Sequence, residues 1–286
     1  MVDAKPVAQS GTFTLGSITV HRLGFGAMRL TGRGVWGEPR DRQECIRVLR
    51  RAVDLGVDFI DTADSYGPYV SEDLIREALH PYPEGLTIAT KAGLVRTGPG
   101  EWHPVARPEY LRQEVEMSLR RLAVDSLDLF QLHRIDPEVP ADDQFGLLSD
   151  VLREGKVKNI GLSNVSLDEL LRAQKTLPVV TVQNRYNLTD RSSVDVLDHC
   201  AAEGIGFIPW HPIAAGRLAE PGGPVDDIAK ETGATPAQIS LAWLLANSPV
   251  ILPIPGTSSV GHLEENCNAA KVHLTPEHID RLNAAG

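Results

Sequence analysis

Lys158-Asn159-Ile160-Gly161-Leu162-Ser163, Val179-Val180-Thr181-Val182-Gln183-Asn184 and Gly206-Phe207-Ile208-Pro209-Trp210 are three short, strand-like runs. The gaps between them hold residues at helical spacing, Leu167–Gln174 and Val194–Glu203. Parallel strands need a crossover, so a strand-like run followed by a helical stretch marks a parallel βα unit. Working outward toward the N-terminus, Leu23–Gly26, Phe59–Asp61, Leu86–Lys91 and Leu127–His133 read as strands. They alternate with helices at Arg42–Leu55, Ser71–Leu79, Pro108–Leu122 and Phe145–Arg153. Toward the C-terminus come a short helix at Val225–Glu231, a longer one at Pro236–Asn247, a strand at Val250–Ile254 and a helix at Val260–Ala269. Eight strand–helix pairs predict an α/β fold, a closed (β/α)8 TIM barrel. The competing open, doubly wound sheet would usually have fewer strands and carry GxGxxG at its first turn.

Phe13–Leu15 and Ile18–Val20, joined by Gly16-Ser17, predict a β-hairpin that caps the bottom of the barrel. Pro276–Ala285 predicts a last helix outside it, with Thr275 as N-cap and Pro276 at the first helical position. Pro137–Asp143 and Gly98–Pro108 read as long loops at the C-terminal mouth.

The chain has 286 residues, 42% of them hydrophobic and 23% charged, as in an ordinary globular protein. No interdomain linker stands out, so residues 1–286 read as a single domain. The 38 acidic against 28 basic residues leave a net charge of −10, which argues against nucleic acid and anionic membrane as partners. Cys45, Cys200 and Cys267 lie far apart and read as reduced thiols. With no signal-like pattern in Met1–Gly16 and no bilayer-length apolar run, the expected compartment is the cytoplasm.

Barrels of this kind do their chemistry at the C-terminal strand ends. Asp61, Lys91 and His133 end three predicted strands, and Tyr66 follows Asp61 by five residues. A buried lysine needs a carboxylate, which Asp61 supplies. A cation near a phenol favours the phenolate, so Lys91 is expected to lower the Tyr66 pKa and make it a proton donor near neutral pH. A neutral His133 could orient a carbonyl oxygen. Any one of these four residues could be merely structural; all four at strand ends are less easily put down to accident.

Asp61-Thr62-Ala63, Tyr66-Gly67 and Ser71-Glu72 resemble the DTAxxYGxxxSE segment of the aldo-keto reductases. So do Thr90-Lys91, Leu132-His133, Gly155-Lys156-Val157 with Ile160–Asn164, Gln183-Asn184, Ile254–Thr257 and Glu265-Asn266. The resemblance runs from Leu23 to Asn266 and is nearest to bacterial members that include pyridoxal reductases; Ile254–Val260 and Pro39–Arg42 suggest that subgroup.

The resemblance implies reduction of aldehydes or ketones by NADPH, with NADH as the other possibility, and without metal. Tyr66 would donate the proton, Lys91 and Asp61 would tune it, and His133 would orient the carbonyl. Ser163, Asn164 and Gln183 would hold the nicotinamide carboxamide, and Trp210 would stack on the ring. Gly26, Met28, Arg29, Pro212, Gly216 and Arg217 complete the expected contacts along the cofactor, with Glu265 and Asn266 at the adenosine end. Where many members carry Lys or Arg, this chain has Gly256 and His262, so a 2′-phosphate would rest on Thr257, Ser258, Ser259 and the helix amides after them.

Trp36, Trp102, His103 and Arg134 are expected at the substrate pocket, Arg134 facing an anionic group. Trp243 reads as core, and no HExxH or paired His/Cys set suggests a metal. The substrate would be a small carbonyl compound, an aromatic aldehyde such as pyridoxal being one specific case, and the protein a monomer. The alternatives are a lysine Schiff-base lyase or aldolase and a cofactor-binding regulatory protein with little turnover.

Overall fold

The computed structural model describes residues 5–213 and 219–285. After a short 3-10 turn, β1 (Thr12–Leu15) and β2 (Ile18–His21) form the expected antiparallel hairpin. The chain then runs through β3 (Phe25–Gly26), α1 (Arg42–Asp54), β4 (Phe59–Asp61), α2 (Val70–Leu79) and β5 (Thr87–Ala92). β6 (Leu94–Val95), β7 (His103–Pro104), α3 (Pro108–Leu122), β8 (Leu129–Leu132) and α4 (Ala141–Arg153) follow. Next come β9 (Ile160–Ser163), α5 (Leu167–Ala173), β10 (Val179–Arg185), α6 (Val194–Glu203) and β11 (Gly206–Trp210). The chain ends with α7 (Pro224–Thr232), α8 (Pro236–Asn247), α9 (Val260–Asn268) and α10 (Pro276–Ala285).

Seven strands lie parallel in the order β11-β10-β9-β8-β5-β4-β3. The predicted eighth strand, Val250–Ile254, is not a regular strand. Pro253 and Pro255 have no N–H to give a ladder. The segment still closes the ring: Phe207 N–H bonds Val250 O, Leu252 N–H bonds Phe207 O, and the Gly24 and Gly26 amides bond the carbonyls of Pro253 and Pro255. A Cβ on Gly256 would lie 2.4 Å from Gly26 O, and one on Gly26 2.6 Å from Ile254 O, so the seam requires both glycines. The Arg22 side chain clamps it further, donating to the carbonyls of Leu245, Ser248 and Ile251.

Period-two alternation gives each strand an outer and an inner face. Ile60, Ile88, Phe130, Leu132, Ile160, Leu162, Val182 and Phe207 pack outward in the helix-covered core. Phe59, Ala89, Leu129, Ile208, Leu252 and Ile254 form a separate interior cluster with Leu15 and Val20 of the hairpin, which plugs the floor. Burial of side chains this size contributes roughly 1.5–3 kcal/mol each.

Helix ends follow the sequence signals. The Asp41 side chain accepts from the Glu44 amide at the start of α1, and capping boxes open α5 (Ser166, Glu169) and α8 (Thr235, Gln238). Thr275 Oγ1 accepts from the His278 amide, as an N-cap does. Trp243 is fully buried and stacks on Tyr186 with ring centroids 5.8 Å apart. The expected mouth loop after β5 contains an unpredicted antiparallel pair, β6 with β7, and α4 begins within the stretch read as the loop 137–143. No helix among the described residues is long and apolar enough to cross a membrane.

Candidate active site

One more step of two along each strand carries the inner face from floor to mouth. Asp61 follows Phe59, Lys91 follows Ala89, Gln131 and His133 follow Leu129, and Trp210 follows Ile208. Asp61, His133 and Trp210 line a cavity of about 570 Å³ together with Gly26, Met28, Tyr66 and Trp102 among others, and Lys91 and Gln131 lie behind Asp61.

Lys91 is fully buried. Its Nζ donates to Asp61 Oδ1 at 2.6 Å and to Thr62 O at 2.8 Å. Asp61 Oδ2 accepts from Gln183 Nε2 at 2.8 Å and from Gln131 Nε2 at 3.1 Å. Removing each ion from water costs several kcal/mol, and an ion pair offsets this only when its remaining polar atoms are also bonded. The two glutamine amides and the Thr62 carbonyl meet that condition. Burial pulls the Lys91 pKa down, but the Asp61 carboxylate and the Tyr66 phenol more than offset it, and the net direction is up. Lys91 is therefore held as an ammonium.

The Lys91 Nζ lies 5.3 Å from the Tyr66 ring centroid. Contrary to the expectation from charge alone, the net shift of the Tyr66 pKa is upward. Burial raises it, Lys91 lowers it, and Asp61 and Asp64 add to the rise. Desolvation of the phenolate outweighs the cation, so Tyr66 keeps its proton at neutral pH. His133 is held well below its usual pKa by burial, then by the charges of Lys91, Arg134 and Arg96. It is the expected neutral imidazole, with Nδ1 3.3 Å from Ser65 Oγ.

Trp210 projects to the other side of the cavity. Its Nε1 donates to Asn164 Oδ1 at 3.1 Å, and the Arg185 guanidinium lies 5.6 Å from its ring. Asn164 has a left-handed backbone (φ 57°), which asparagine tolerates better than most residues. Its amide Nδ2 donates to His133 O and Ser163 Oγ. The Asn164 side chain thus fixes Trp210 and the His133 backbone, and it lines the cavity, with a second lone pair on Oδ1 beyond the one that accepts from Trp210. No described contact uses the Ser163 hydroxyl proton or the Gln183 amide oxygen, and both residues line the cavity.

Met28, Arg29, Arg134, Pro212 and Gly256 line the same cavity as expected, whereas Trp36 and His103 do not. His103 is exposed, with Nε2 2.9 Å from Thr97 Oγ1, and Trp36 lies behind the wall, 5.9 Å from the Arg96 guanidinium. Thr257, Ser258, Ser259, His262, Glu265 and Asn266 lie along the seam and α9, outside the lining. Glu265 bonds the Thr235 hydroxyl at 2.6 Å and so joins α9 to the start of α8. At the N-terminus of α9, Glu44 Oε1 of α1 accepts from the Val260 amide at 3.1 Å. Gly216 and Arg217 lie outside the described residues.

Two polar residues at the site escaped the sequence reading. Gln131 was legible as the polar residue two before His133, on the same face of one strand. Arg96 carried no such signal. Glu72, from the Ser-Glu pair, bonds Thr90 Oγ1 at 2.6 Å and Arg121 Nε at 2.5 Å, tying α2 and α3 to the strand that carries Lys91. No group of three or more metal-ligating side chains occurs among the described residues.

A phenol that retains its proton, an ammonium–carboxylate pair behind it and a neutral imidazole beside it can bind a carbonyl oxygen and protonate it. The family model described as the aldo/keto reductase family matches residues 22–286. An uncharacterized oxidoreductase of Schizosaccharomyces pombe is 53% identical, over 99% of this chain and 92% of its own. Pyridoxine 4-dehydrogenase of Escherichia coli is 45% identical, over 96% and 98%. The solved structure of a thermostable aldo-keto reductase in complex with the inhibitor epalrestat superposes with a TM-score of 0.83 at 29% identity, covering 96% of this chain and 99% of its own. The chain therefore belongs to the aldo/keto reductase family.

Proposed function

We propose that this protein reduces small aldehydes or ketones to alcohols with NADPH, on a single domain working as a cytoplasmic monomer. The observation that carries this reading is that protonated Tyr66, neutral His133 and Asp61, which is paired to Lys91, line one cavity with Trp210. The residues present fit a nicotinamide. Trp210 offers an aromatic face held by Asn164, and the Ser163 hydroxyl and Gln183 amide oxygen offer the donor and acceptor that a carboxamide needs.

The bound cofactor supplies a hydride. His133 orients the substrate carbonyl, and Tyr66 donates a proton to its oxygen as charge develops there. The Lys91 ammonium then stabilises the phenolate left on Tyr66, while Asp61 keeps Lys91 charged and in place. The aromatic wall at Trp102 and the likeness to pyridoxine 4-dehydrogenase favour pyridoxal or another small aromatic aldehyde as substrate. A Schiff-base role for Lys91 fits poorly, because that chemistry requires a neutral, accessible amine.

The adenosine end sharpens the cofactor choice. Glu44 occupies the Val260 amide and is held below the usual carboxylate pKa by that bond and by Arg47. With a 2′-phosphate resting on the amides at the start of α9, this carboxylate would lie beside it and weaken, without abolishing, the binding of NADPH. Glu44→Gln is expected to tighten NADPH binding severalfold and to leave NADH nearly unchanged, read by quenching of tryptophan fluorescence; equal effects on the two would remove Glu44 from cofactor choice. The reading as a whole is tested by mixing the protein with NADPH and pyridoxal. Loss of nicotinamide absorbance only when the aldehyde is present is the expected result. Cofactor binding without turnover across a panel of carbonyls would favour the regulatory alternative.

A further inference from the structure

The Arg96 guanidinium sits at the mouth of the barrel, yet no carboxylate among the described residues pairs with it. Its five N–H groups go to five backbone carbonyls: Nε to Glu101 (2.7 Å), Nη1 to Val35 (2.6 Å) and Ser65 (3.0 Å), Nη2 to Gly34 (2.7 Å) and Gly98 (3.3 Å). Its face lies 3.6 Å from the centroid of the Trp102 ring. Burial lowers its pKa from the usual guanidinium value.

Those carbonyls belong to three separate segments, the loop after β3, the turn between Asp61 and Tyr66, and the loop after β6. Trp102 stands edge-on to Tyr66 (centroids 6.3 Å apart) and to His133 (6.2 Å). Ser65, whose carbonyl Arg96 holds, touches His133 through its hydroxyl. Three of the same carbonyls also accept backbone amides, Gly34 O from Gly100, Val35 O from Gly67 and Gly98 O from Glu101. We propose that Arg96 is a positioning residue: it clamps these three segments and Trp102 into a preformed wall of the substrate pocket facing Tyr66 and His133. A planar fork with five donors can satisfy this set of acceptors and stack on an indole at once, whereas an ammonium has three donors and no plane. A wall that is already ordered spares the substrate the cost of ordering it.

The inference rests on the reductase reading for its kinetic test, but not for its structural one. In ligand-free protein, Arg96→Lys is expected to speed hydrogen exchange at the Gly67 and Gly100 amides while exchange in the barrel strands stays as in the wild type. In turnover, the KM for an aromatic aldehyde relative to that for propanal is expected to rise about tenfold, the scale of a misplaced pocket contact. Trp102→Leu should raise the same ratio, and the double variant should be no worse than the poorer single one.

Unchanged exchange at Gly67 and Gly100, an unchanged KM ratio, or additive losses in the double variant would each overturn the proposal. Should Arg96→Lys not fold, Trp102→Leu alone decides: an unchanged ratio overturns it and a raised one supports it. A wild type that turns over neither aldehyde would sink the reductase reading, and the exchange experiment would still settle the role of Arg96.

Discussion

On three strands of this barrel, floor and mouth stand two to four residues apart: Phe59 and Asp61, Ala89 and Lys91, Leu129 with Gln131 and His133. The floor is the apolar set Phe59, Ala89, Leu129, Ile208 and Leu252, closed by Leu15 and Val20. The mouth is Asp61, Lys91, Gln131, His133 and Gln183, buried almost as fully. The floor is stable because it excludes water and holds nothing polar. The mouth survives burial because each charge has partners, and that pairing fixes the protonation of Lys91 while burial fixes that of Tyr66 and His133. The same alternation thus provides rigidity below and chemistry above.

The largest break in this contrast should come from Tyr66→Phe. It removes the proton donor and leaves the cavity, so kcat is expected to fall about 10²–10⁴-fold while cofactor still quenches tryptophan fluorescence. Turnover near the wild-type rate would take Tyr66 out of the mechanism. Lys91→Met should damage both properties of the mouth. It leaves Asp61 buried without its cation, a change of roughly 3–5 kcal/mol in stability, and chemical denaturation would reveal it along with the lost turnover. Full stability in that variant would mean that the two glutamines alone suffice for Asp61.

On the floor, Leu129→Ala is expected to cost about 2–5 kcal/mol through the cavity it opens. Its kcat, measured at a temperature where it remains folded, should be near the wild-type value. A large loss of kcat would mean that floor and mouth are mechanically coupled.

The smallest effect concerns pH. His133 is held well below the ordinary histidine pKa of 6.5, so kcat/KM should show no His133 inflection near that pH, only one well to the acid side. The sign for stability agrees: a histidine whose folded pKa is depressed contributes fully above its unfolded pKa. That contribution is lost as pH falls through 6.5 toward the folded value. An inflection near 6.5 that disappears in His133→Gln would show the imidazole to be more solvated than its surroundings imply.

Much of this was open to a reading of residues in order. The strand–helix alternation, the hairpin and the strand-end positions of Asp61, Lys91 and His133 depend on local periodicity, and the structure places them as that periodicity requires. Val250–Ile254 reads as an ordinary strand because its apolar run fits one; Pro253 and Pro255 make the seam an irregular closure instead. Trp36 and His103 were expected at the pocket because they lie in mouth loops, but a loop position says nothing about which way a side chain faces.

By itself, then, the sequence determined the barrel, the order of its strands and the polar residues that end them, since hydrophobic period and turn chemistry act within a few residues. Tertiary structure decided the direction of the Tyr66 shift, because desolvation depends on everything packed around the phenol. It also decided the commitment of Asn164 to Trp210, the Glu44 contact with α9 and the five carbonyls around Arg96. Most of these contacts join residues distant in the chain, and no local pattern encodes a distance of about 3 Å between such residues.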